Sequence, residues 1–102
     1  MNQEDKDGLF MRISWDIGEM LCKKNHDYGD SAHQVYEDFG NIIIYIRLLD
    51  KINRLKTHVK GSTFKVADES VKDIYRDMAG YCILALASIE RIEKLTTREV
   101  TT

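Results

Sequence analysis

The sequence predicts a small all-α protein, an antiparallel bundle of three long helices and one short one, on three observations. There is no proline among its 102 residues, so nothing interrupts a helix from within. Apolar residues recur at three- and four-residue spacing through most of the chain, which is the period of a helix with one buried face. Glycine, asparagine and aspartate cluster at a few places only, where a helix has to end and the chain has to turn.

The first helix is expected over about Gln3 to Asn25. Leu9, Ile13, Ile17, Met20 and Leu21 give the helical spacing, with Phe10 and Trp15 beside them. The run Asn25-His26-Asp27-Tyr28-Gly29-Asp30-Ser31 then reads as a loop in which Asp30 or Ser31 caps the next helix. A short helix from Ala32 to Phe39 is stopped by Gly40. The third helix should cover Asn41 to Val59, with Ile42, Ile43, Ile46, Leu49, Ile52 and Leu55 among its apolar positions. Its opening isoleucines favour a strand by propensity, but the spacing carried on to Leu55 favours one long helix. Lys60-Gly61-Ser62-Thr63 is a turn. The last helix is expected to begin near Asp68 as its N-cap and to carry the stripe Val71, Ile74, Met78, Cys82, Ala85, Ile89 and Ile92. It should fray near Thr96, leaving a mobile tail.

Length and composition narrow the class. A chain of 102 residues makes one domain, 1–102, with a small core. Its long apolar faces and low mass point to a homo-oligomer. A net charge of -2 supplies no basic excess for a nucleic-acid backbone, so nucleic acid is not expected as a partner. The longest apolar run, Ile42 to Ile46, is too short to span a bilayer. The acidic, polar start does not resemble a signal peptide. Cys22 and Cys82 have no metal-ligand spacing and read as small buried hydrophobes of a reducing, cytoplasmic protein. His26, His33 and His58 show no zinc spacing either.

Three features exceed what a plain bundle requires. Glu69, Asp73 and Asp77 stand four apart, on one helix face. Like charges at that spacing repel by about 0.2–0.5 kcal/mol per pair, and a hard divalent cation would remove that repulsion. The plainer account is a dipole-favoured first turn with Asp73 or Asp77 paired to Lys72 or Arg76. Arg47, Asp50 and Arg54 share another face, either as an ion-pair ladder or with Asp50 as a metal ligand and arginine on phosphate. Lys23-Lys24-Asn25-His26-Asp27-Tyr28-Gly29 collects cations, an aromatic ring and a glycine, suited to a nucleotide or to an ordinary interhelical turn with Tyr28 packed inward.

Taken together, Lys24-Asn25-His26-Asp27-Tyr28-Gly29-Asp30-Ser31, Arg47-x-x-Asp50-Lys51-x-x-Arg54-Leu55 and Glu69-Ser70-x-x-Asp73-x-x-x-Asp77 resemble the nucleotide-modification-associated domain family of phages and prophages. The resemblance spans roughly Trp15 to Ile89. It extends more distantly to the all-α NTP pyrophosphatases of the MazG-like kind. It implies a helical bundle that binds a nucleotide and, if enzymatic, releases pyrophosphate with Mg²⁺. By that resemblance Asp50, Glu69, Asp73 and Asp77 would hold the metal, with Asp73 and Asp77 in the catalytic role. Arg47, Lys51 and Arg54 would meet phosphates, and Lys24, Asp27, Tyr28 and Gly29 would meet the nucleoside. The enzymes' Glu-x-x-Glu pair has only Asp50 with Asn53 as its counterpart here, and their Glu-x-x-Asp motif reads Glu69-x-x-x-Asp73. The resemblance therefore leaves two functional readings: a pyrophosphohydrolase, or a protein that binds and sequesters a cyclic or modified signalling nucleotide. A helical interaction protein without a ligand is the third reading.

Overall fold

A computed structural model describes residues 1–61 and 70–101. They form four helices and no strand: α1 (Gln3–Tyr28), α2 (Ser31–Phe39), α3 (Asn41–Val59) and α4 (Val71–Thr101). This is the small all-α bundle expected. The helix breaks follow local chemistry. Asn2 caps α1, its side-chain oxygen accepting from the Asp5 N–H at 2.8 Å. Gly29 ends α1 in the left-handed conformation, φ 61°, with its N–H on the Asn25 carbonyl. Gly40 alone joins α2 to α3, at φ 65° and ψ -151°, a region open essentially to glycine only.

Three boundaries differ from the sequence reading. α1 runs on through Asn25, His26 and Asp27 to Tyr28, because Gly29 supplies a cap that leaves the three polar residues inside the last turn. α4 starts at Val71, with Ser70 rather than Asp68 before it. The Ser70 hydroxyl accepts the Asp73 N–H at 3.1 Å and donates to the Asp73 carboxylate at 2.9 Å, a reciprocal cap. The far end of α4 continues helical past Thr96 to Thr101. Ser62, Thr63, Asp68 and Glu69 lie outside the described residues.

α3 packs along α4, and α1 and α2 pack on the same helix from other sides. The core is thin. Ile17, Tyr36 and Ile74 are the buried hydrophobic residues among those described, and Ile74 alone is fully enclosed. The larger surprise is the cysteines. Cys22 and Cys82 are exposed, against the expectation of burial. α1 and α4 carry more apolar positions than one chain can cover, and these two fall outside the covered arcs. On α3, Ile44, Leu48, Lys51 and Leu55 turn inward while Ile42, Ile46, Leu49 and Ile52 are exposed. No helix among the described residues is long and apolar enough to cross a membrane.

Candidate functional site

The residues singled out in sequence do not converge on one place. α3 and α4 bring Lys51 and Asp77 together: the Lys51 ammonium lies 2.7 Å from the Asp77 carboxylate, and Lys51 is only 8% exposed. An ammonium taken out of water needs its charge met by a nearby anion. Asp77 meets it. The residue expected on phosphate and the residue expected on metal are thus directed at each other.

The remaining carboxylates are also engaged. Asp50 forms an ion pair with Arg54, 3.3 Å from its Nε, on the exposed side of α3. Asp73 holds its Ser70 cap and has Arg76 at 3.6 Å. That is the ion-pair alternative for both rows. An Mg²⁺ site needs several hard oxygen ligands, and no group of three His, Cys, Asp or Glu side chains placed for a metal occurs among the described residues. Asp50, Asp73 and Asp77 as arranged do not fit such an ion, and Glu69 lies outside the described residues.

The Asn25–Ser31 segment is a structural corner. Asp30 adopts φ 66°, a conformation few non-glycine residues take. Its carboxylate is gripped by Arg91 of α4 at 3.0 and 2.9 Å, a two-point contact, and accepts from Asn25 Nδ2 at 3.2 Å. Hydrogen bonding to Arg91 foremost, aided by Asn25, holds the Asp30 carboxyl below its ordinary range. A depressed folded-state value stabilises the fold above the unfolded carboxyl value, near pH 4, and that contribution is lost as the pH falls through the folded value. Acid titration of stability should therefore show a decline below about pH 4 that flattens in Arg91→Met. Lys24, Asp27 and Tyr28 are exposed around this corner. Lys24 and Asp27 face a shallow depression with Lys23 and Asp16, and Tyr28 does not pack inward.

A polar chain with a buried His33–Ser88 contact and a half-exposed Glu37 links α2 to α4, and the sequence reading missed it. His33 Nε2 lies 2.6 Å from Glu37 Oε1, and His33 Nδ1 lies 2.8 Å from Ser88 Oγ. The carboxylate only accepts, so Nε2 carries hydrogen; in the neutral ring Nδ1 then accepts from the serine hydroxyl. The i, i+4 pair His33/Glu37 was visible in sequence, but Ser88 stands 55 residues away. Ser88→Ala is expected to lower unfolding free energy by about 1–3 kcal/mol, since a buried ring nitrogen loses its partner. Urea denaturation of the variant measures it.

Beside this chain α2, α3 and α4 line a half-open cavity of about 180 Å³. Its polar lining residues are Ser31, Tyr36, Arg47, Tyr81 and Ser88, and its apolar lining includes Val35 and Ile44. The Arg47 guanidinium sits over the Tyr81 ring, 5.8 Å from its centre, a cation–π contact. Of the predicted nucleotide contacts, Arg47 is the one that lines this cavity. Lys51 is committed to Asp77, and Arg54 lies with Asp50.

Every element of this cavity falls within residues 24–89, which match the family described as nucleotide modification associated domain 1. The chain belongs to that family. The match begins at Lys24, so most of α1 lies outside it. No curated protein and no solved structure matches the chain. Within the family span the Asn25–Ser31 motif builds the corner, the Arg47–Arg54 motif spans the α3 seam, and the Asp73–Asp77 motif starts α4.

Proposed function

We propose that this member of the nucleotide modification associated family is a nucleotide-binding protein that acts by holding its ligand. The observation that carries the reading is Arg47 over Tyr81 at the wall of the α2–α3–α4 cavity, inside the family span. An arginine fork suits phosphate oxygens, and the tyrosine rings and apolar lining suit a base. The cavity's 180 Å³ is below the roughly 300–1,000 Å³ of pockets that enclose a whole small molecule. It takes the base or sugar of a linear or cyclic nucleotide and leaves the phosphates at the rim beside Arg47. Mg²⁺-dependent pyrophosphate release is the competing reading. It draws less support, because Lys51, Arg54 and Ser70 engage the carboxylates it would use.

The test is a set of variants in one binding assay. Arg47→Ala and Tyr81→Leu are expected to weaken nucleotide binding at least about tenfold, the equivalent of 1.4 kcal/mol. Lys24→Ala, at the separate depression, should leave binding unchanged. Loss of binding in Lys24→Ala alone would move the site to the corner.

A further inference from the structure

We propose that the outer face of α3 is an interface on which a second copy of this chain docks, the two α3 helices packing antiparallel about a two-fold axis. α3 is apolar on two separate arcs. One arc, Ile44, Leu48 and Leu55, lies against α4. At about 100° per residue, Ile42, Tyr45, Ile46, Leu49 and Ile52 make a second arc more than a quarter-turn away. All five are between 41% and 60% exposed. Arg47, Asp50 and Arg54 stand on the remaining side of the helix, so no charge interrupts the stripe from Ile42 to Ile52. A helix with two apolar arcs needs a partner for each, and one chain covers only the first of these two.

The molecule's dimensions exceed those of a compact chain of its size. Its accessible surface is 8192 Å², against about 5,900 Å² for a folded monomer of 11.8 kDa. Its radius of gyration is 16.9 Å, against about 13 Å for a compact chain of this length. The excess surface, spread over exposed apolar residues of α1, α3 and α4, exceeds the roughly 800 Å² that each partner gives to a stable interface. The stripe is also self-complementary. Antiparallel packing about the midpoint of the stripe, at the level of residue 47, sets Ile42 opposite Ile52 of the second copy and Tyr45 opposite Leu49, with the same pairs repeated across the axis, as an isologous contact demands. The exposed residues of α1 make a poorer candidate, because Gly18 and Cys22 leave gaps between Met11, Trp15 and the helix end.

Sedimentation and light scattering of the full chain over a hundredfold concentration range should give twice the chain mass or a multiple of it. Leu49→Glu should weaken self-association at least tenfold while Trp15→Ser does not. Because a released monomer can lose its fold, a second measurement uses intact protein: Ile46→Cys in a Cys22→Ser, Cys82→Ser background, treated with a short bismaleimide. Covalent dimer is expected there, and none from Glu4→Cys in the same background. A wild-type chain that stays monomeric, an assembly that survives Leu49→Glu, or an Ile46→Cys protein that does not cross-link would each overturn the proposal.

Discussion

Asp77→Ala should destabilise the fold by about 3–5 kcal/mol, more than any change to Asp50 or Asp73. The reason lies on α3. Lys51 is 8% exposed with the Asp77 carboxylate 2.7 Å from its nitrogen. Removing one member of a buried ion pair takes from the other charge a close anion that water cannot replace. The same change at an exposed pair costs little, so Asp50→Ala, which loses only the contact to Arg54 at 3.3 Å, should stay within about 1 kcal/mol. Replacing both partners, as Lys51→Met with Asp77→Leu, should recover most of the loss. Urea titration of the wild type, Lys51→Met, Asp77→Leu and the double variant gives the coupling directly. The comparison also guards against a misreading: an Asp77 variant that loses activity has first lost stability, so inactivity alone would not make Asp77 a metal ligand.

Ile74→Ala should be nearly as damaging, at about 2–5 kcal/mol. Ile74 is the one fully enclosed side chain among the described residues, one turn into α4. Truncation removes three carbons and leaves a void that a core with Ile17 and Tyr36 as its other buried hydrophobic residues has few neighbours to fill. Stability of a domain this size is only about 5–15 kcal/mol, so a drop in thermal midpoint of about 8–40 °C is expected, at about 4–8 °C per kcal/mol. Ile42→Ala on the exposed arc of α3 should change the midpoint of a dilute sample far less.

These effects show what the sequence could and could not reveal. α3 was legible to its ends because Gly40 stops what precedes it and an unbroken helical period runs from Asn41 to Val59. The end of α1 was misjudged because Asn25, His26 and Asp27 are weak helix formers one by one, while the Gly29 cap decides the matter from outside. Periodicity placed Asp73 and Asp77 on one face correctly. It is silent on what another helix brings to that face, and α3 brings Lys51. Asp30 does stand at the start of α2, but its side chain makes no cap hydrogen bond there, and the Arg91 that grips it instead lies 61 residues on. Cys22 and Cys82 were assigned to a core because apolar spacing counts faces without asking whether the chain has enough partners to cover them.

The central claim is that the chain holds a nucleotide and leaves it intact. Calorimetric titration with linear and cyclic nucleotides, in Mg²⁺ and again in EDTA, followed by chromatography of each mixture, tests it most directly. The account predicts saturable binding of at least one nucleotide in both buffers, with the ligand recovered unchanged. Binding that requires Mg²⁺ and yields pyrophosphate would contradict it and make the protein a pyrophosphohydrolase, and no binding by any nucleotide would leave a helical interaction protein.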